Sequence, residues 1–173
     1  MKTALFSLVL AVSYQSLASW NNLTSQVAGN AIGLANLEYS RRLSENLTLG
    51  ITGANGHGKL GPLDLSGSAY GVIARRYFKP ALEQDSWYLL VGVEKRDFMI
   101  TRRDQDKDYK AESKSTVGSI GGGYHWFWQS FNIGLGGAVT NQPSLEMKTD
   151  AGEVHADRLN PGLSLDFTIG GKF

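Results

Sequence analysis

From Leu163 to Phe173 the sequence changes character at every residue. Leu163, Leu165, Phe167, Ile169, Gly171 and Phe173 form one series, and Ser164, Asp166, Thr168, Gly170 and Lys172 form the other. A period of two belongs to a β-strand, whose side chains point alternately to opposite faces. This stretch is therefore one strand with an apolar side and a polar side. Such a strand needs neighbours for its backbone and a home for its greasy face. An aromatic residue at its end suits a lipid–water interface, where aromatic rings collect around membrane barrels.

The opposite end of the chain carries a matching expectation. Met1-Lys2 is a short positive start, Ala4 to Val12 is apolar except for Ser7, and Ser16-Leu17-Ala18 offers small residues for a signal peptidase. Residues 1–18 therefore read as a cleaved secretory signal peptide, leaving 19–173 as one barrel-sized domain. That apolar run is shorter than the ~20 residues of a spanning helix, and nothing else in the chain approaches one. Residence in a membrane then requires a closed barrel.

Without Lys2, the 17 basic residues of the whole chain come down to parity with its 16 acidic ones. A nucleic-acid binder would carry a basic excess, so that partner class is excluded. Zero cysteines remove disulfides and thiolate chemistry together.

Alternation recurs upstream. Phe131, Ile133, Leu135 and Val139 share a face, as do Ile120, Tyr124 and Trp126. Trp87, Leu89, Val91 and Val93 alternate with Tyr88, Leu90, Gly92 and Glu94; Tyr70, Val72, Ala74 and Phe78 alternate with Gly71, Ile73, Arg75 and Tyr77. Leu47, Leu49 and Ile51, then Leu37 and Tyr39, continue the series, and residues 21–29 give the faintest pattern. The sum is eight strands. Short turns fall at about 43–46, 79–85 and 128–130, and long polar loops at about 54–66, 98–114 and 141–159. Alternating short turns and long loops are the habit of an all-β, eight-stranded, antiparallel, up-and-down transmembrane β-barrel. Phe78, Trp87, Tyr124, Trp126, Trp128 and Phe131 cluster toward the short turns as an aromatic girdle.

The polar face separates a membrane barrel from a soluble, lipocalin-like lipid-binding barrel in the periplasm. Thr48, Thr52, Ser119, Asn132, Ser164 and Thr168 are small, and Glu38, Arg75, Glu94, Arg96, Asp166 and Lys172 are its larger members. Small polar groups with a few ions of both signs suit a narrow lumen better than a solvated exterior. Eight strands leave an interior that side chains fill, so a plugged lumen is expected. The three acids and three bases are expected to pair across it.

The closing strand, with Leu165, Phe167 and Ile169 at every second position before Phe173, resembles the C-terminal signature of outer-membrane barrels; Gly171 stands where that signature has a bulky residue. The runs Asn36-Leu37-Glu38-Tyr39-Ser40-Arg41 and Leu43-Ser44-Glu45-Asn46-Leu47-Thr48-Leu49 resemble the second and third strands of a family of small, eight-stranded, largely uncharacterised bacterial outer-membrane β-barrels. Gly71-Val72-Ile73-Ala74-Arg75-Arg76-Tyr77-Phe78 and Gly122-Gly123-Tyr124-His125-Trp126 carry the same likeness, while Ser40 replaces an expected Glu. The resemblance implies a fold and a location in the bacterial outer membrane, not a reaction.

Chemistry is sparse. His125 lies on the polar face with Phe127, not Ser, two residues on, unlike the His/Ser pair of lipid A deacylases; that lipid-modifying barrel enzyme is the rival function. His57 and His155 sit in loop sequence. Asp104-Gln105-Asp106-Lys107-Asp108 begins like a calcium loop, but Tyr109 and Ser115 occupy the positions that need Gly and Glu. Asn22-Leu23-Thr24 and Asn46-Leu47-Thr48 match a glycosylation pattern inside strands and read as chance. No catalytic residue, cofactor or metal is expected. The expected role is non-enzymatic, structural or exercised through extracellular loops. Expected partners are outer-membrane lipids, lipopolysaccharide through Arg102, Arg103, Lys107 and Lys110, and the barrel-assembly machinery through the C-terminal strand, with the protein a monomer.

Overall fold

A computed structural model describes residues 20–27, 30, 33–60, 63–104, 107–141, 146–149, 152–155 and 162–173. The expected signal peptide lies outside them. Ten strands run in order: β1 (Asn21–Gln26), β2 (Leu34–Ser44), β3 (Leu47–Leu60), β4 (Leu63–Tyr77), β5 (Ser86–Asp104), β6 (Lys107–Phe127), β7 (Phe131–Thr140), β8 (Glu146–Thr149), β9 (Gly152–His155) and β10 (Gly162–Lys172). Each of β1 to β6 pairs antiparallel with the next, and β7 pairs with β10. β10 then pairs with β1, from Asn22 opposite Lys172 to Gln26 opposite Thr168. Eight strands thereby close into an all-antiparallel barrel, and β8 and β9 form a hairpin on the outer reach of β6.

The seam is held beyond the last paired residues. Asn21 and Phe173 exchange backbone hydrogen bonds of 3.1 and 3.0 Å, and Lys172 N donates to Ser130 O at 3.1 Å. Closure leaves no sheet edge in the wall, the condition for placing strands in lipid.

The faces settle inside from outside. Along β5, Trp87, Leu89, Val91 and Val93 are 64, 57, 54 and 51% exposed. Val72, Phe78, Ile51, Ile120, Leu135, Leu163 and Leu165 are exposed too, whereas Thr24, Thr48, Asn132 and Thr168 are buried. Apolar groups therefore face out and polar groups face in, the reverse of a soluble ligand-binding barrel. From Trp87 to Lys95 the strand advances eight residues. That is ~27 Å along the strand, or ~20 Å along the axis at a tilt of about 40°.

Two expected loops are instead paired strand. The stretch 54–66 is mostly ladder, with Ala54 opposite Ala69 and Leu60 opposite Leu63. The stretch 98–114 is ladder as far as Asp104 opposite Lys107. β5 and β6 thus reach 19 and 21 residues, well beyond the apolar band. Within the third, 141–159, the described residues include the short β8–β9 hairpin. Polar composition misled here: a hairpin standing in water has no apolar face to mark its period.

Candidate functional site

The barrel interior is divided in two. At the short-turn end it is packed solid. The turn between β4 and β5 holds Ala81 and Leu82, both 0% exposed, and Leu82 takes a left-handed backbone with φ of 64°. That conformation is costly for a residue with a Cβ, and surrounding contacts hold it. Ala81 N donates to Glu45 O at 2.7 Å in the β2–β3 turn. Lys172 Nζ donates to Leu82 O at 2.8 Å, and Phe127 N donates to Asp85 Oδ1 at 2.6 Å. Arg42 makes an ion pair with Glu83. The turn, a stopper in shape, is in this way tied to β2, to the β2–β3 turn, to β6 and to β10, with Ala81 and Leu82 packed inside that end of the barrel.

Aromatic side chains pack above it. Tyr77, Tyr88, Leu90 and Phe127 are buried with Ala81 and Leu82. His125 joins them, its ring 5.1 Å from those of both Tyr88 and Phe127. His125 Nδ1 shares a hydrogen bond of 2.8 Å with the Tyr77 hydroxyl. The space exists because Gly134 and Gly136 lie on the neighbouring strand β7, Gly134 directly opposite His125 in register. A Cβ on Gly136 would come within 2.5 Å of the Tyr88 oxygen, and one on Gly134 would strike the His125 ring.

The next layer up is ionic. Arg75, on β4, binds Glu38 of β2 through both terminal nitrogens, one of them at 2.8 Å, and lies 3.7 Å from Asp166 of β10. Gln26 Nε2 donates to Asp166 Oδ1 at 3.3 Å, and Gln26 Oε1 accepts from Asn36 at 2.9 Å. A two-pronged guanidinium–carboxylate pair fixes the geometry of both side chains. Desolvation of three charges is offset only while all three remain together.

Three of the six lumen ions behave otherwise than the pattern suggests. Glu94 and Arg96 pair with each other along β5, at 2.7 Å, not across the lumen, and Thr52 donates to Glu94 at 3.2 Å. Lys172 finds no acid among the described residues; it caps the Leu82 carbonyl and lies over the Phe127 ring at 5.5 Å. Three cross-lumen pairs do not form among the described residues, because alternation gives the face of a residue but not its height along the barrel.

Above the ions the lumen opens into a cavity of about 200 Å³, bounded by Leu34, Asn36, Thr52, Glu94, Arg96 and Phe98. On the outer wall the expected girdle residues come together. Trp87 lies edge-on to Tyr124 at 5.1 Å, Tyr124 is 4.9 Å from Trp126, and Trp128 is 5.6 Å from Phe131. Phe78 is fully outward on the same rim. Phe167 and Leu165 of the closing strand face outward above it.

His57 is on β3, well apart from His125, and His155 ends β9. No group of three or more His, Cys, Asp or Glu able to hold a metal occurs among the described residues. Sequence reasoning missed the stopper, although Tyr77, Tyr88 and Phe127 on an otherwise polar face were its visible sign.

No protein-family model matches the chain, and no curated protein matches it. Among solved structures it is similar to the N-terminal β-barrel domain of Pseudomonas aeruginosa OprF, with a TM-score of 0.57 and 14% identity over 90% of this chain and 98% of that one. At that identity the likeness concerns the fold.

Proposed function

We propose that this chain is a small bacterial outer-membrane β-barrel protein, non-enzymatic, with a structural or interaction role exercised through its outward hairpins. The observation that carries the reading is the outward apolar wall from Trp87 to Val93, bounded by aromatic rings below and by Lys95 and Asp97 above. At a tilt of about 40° it is ~16 Å tall from Trp87 to Val93 and ~20 Å as far as Lys95, against the ~25 Å apolar band of such barrels. In this reading residues 1–18 are a cleaved signal peptide and 19–173 the barrel. The short-turn end then faces the periplasm and the long hairpins face outward. Leu165, Phe167, Ile169 and Phe173 are what the barrel-assembly machinery reads, and the barrel is a monomer contacting outer-membrane lipids and lipopolysaccharide.

The stopper and the Arg75 layer support a plugged lumen and not a diffusion pore. A lipid A deacylase role has no support in the placement of His125, which is buried inside the barrel beside Tyr77 and Thr168, where acyl chains do not reach. The test is fractionation with a gel assay. The full chain is expected in outer membranes, migrating faster unheated than boiled. Recovery in the soluble periplasmic fraction would overturn the reading.

A further inference from the structure

The cavity above the ionic layer has the make-up of a binding site. Its volume of about 200 Å³ equals the share of about seven waters. One side is apolar, from Leu34 on β2, Ala54 on β3, Ala69 on β4 and the Phe98 ring. Phe98 stands opposite Gly67, and a Cβ at Gly67 would strike that ring. The floor is polar and charged. Glu94 and Arg96 balance each other, but below them Arg75 serves both Glu38 and Asp166. Among the described residues the ionic layer and the cavity above it therefore carry together one negative charge in excess, which lies in the layer beneath the cavity. Lys172 does not offset it, being on the far side of the aromatic layer at the Leu82 carbonyl.

We propose that this cavity binds a small organic cation: a primary amine carrying one compact apolar group, with the ammonium toward Glu94 and the apolar group against Phe98. The excess charge favours a cation over an anion, and the Phe98 ring offers the apolar group a surface to pack on. Glu94 and Arg96 are each a little under one third exposed, so a ligand reaches them without dismantling the buried Glu38–Arg75 pair. The proposal depends on the barrel and its open upper lumen and not on membrane placement, so a failed fractionation and a failed titration are distinct results.

The test is a calorimetric titration of the full chain, folded in detergent micelles, with benzylamine, benzyl alcohol and benzoate, each corrected for partition into protein-free micelles. Faster migration of unheated protein certifies every variant as folded. Saturable one-to-one binding of benzylamine is expected, at least fivefold tighter than the alcohol, with benzoate weakest. Glu94→Gln is expected to weaken the amine about fivefold and leave the alcohol unchanged. Phe98→Leu is expected to weaken both, and Lys114→Gln, on the outer wall, neither. Failure of benzylamine to saturate, benzoate binding as tightly as the amine, or amine binding indifferent to Glu94→Gln would overturn the proposal; if Glu94→Gln does not fold, the order of the three probes on the unaltered chain decides.

Discussion

The two halves of this barrel share one wall and obey opposite rules inside it. At the short-turn end, Leu82, Tyr77, Tyr88 and Phe127 leave no room, and the charges of Arg75, Glu38 and Asp166 are sealed together. At the long-hairpin end, Glu94 and Arg96 stand beside an open cavity, partly exposed. The contrast teaches where stability and recognition reside in a chain too small to separate them by domain. Packing density and buried charge hold the lower half, and space is left in the upper half.

The sharpest way to break that contrast is Arg75→Met. It leaves Glu38 and Asp166 facing each other without a cation in a dry layer. A loss of about 3–5 kcal/mol is expected, the usual cost of removing one partner from a buried ionic group. Urea unfolding in detergent measures it. A loss below 1 kcal/mol would mean that the layer is hydrated like the cavity above.

The stopper comes next. Leu82→Ala keeps the backbone but removes a side chain that is wholly buried, and about 2–4 kcal/mol should go with it. In planar bilayers the same variant is expected to conduct ions and the unaltered barrel is expected not to. A closed Leu82→Ala barrel would place the seal in the Arg75 layer alone.

Glycine positions test packing directly. Gly136→Ala puts a methyl within 2.5 Å of the Tyr88 oxygen and 2.8 Å of the Gly122 carbonyl, and about 1–3 kcal/mol should be lost to overpacking. At Gly53 on β3 nothing lies within 4 Å of an added Cβ, and Gly53→Ala should stay within about 0.5 kcal/mol of the unaltered chain. Equal effects at both sites would show that the lower half relaxes as freely as the outer wall.

How much of this was legible in the residues themselves varies by feature. The apolar and polar series of β10 told the two faces of that strand, because an apolar outer surface and a polar lumen impose the period of two on it. The same period was hidden in 54–66 and 98–114, where both faces of the hairpin are polar enough to resemble loops. Tyr77, Tyr88 and Phe127 were visible as large rings on a polar face. Leu82 was not, since a lone Leu in a turn rich in Pro, Glu, Gln and Asp looks incidental. Lys172 lies on the face its alternation predicts but meets a backbone carbonyl in place of an acid. Its acceptor is a carbonyl 90 residues away, on Leu82, whose backbone is left-handed. Long-range acceptors of that sort leave no local pattern to read.

The smallest expected effect is the most informative about the upper half. Arg96→Gln breaks an ion pair between neighbouring positions on one strand, whose side chains are 29 and 28% exposed. Water and Thr52 compensate Glu94, so a cost of under 1 kcal/mol is expected, as for surface pairs. Unfolding in high salt should narrow the gap between variant and unaltered chain further, since partly exposed charges are screened. Arg75→Met in the same series should keep its deficit at every salt concentration. If Arg96→Gln instead costs as much as Arg75→Met, the cavity is drier than its openings suggest, and the division between a sealed half and an open half falls.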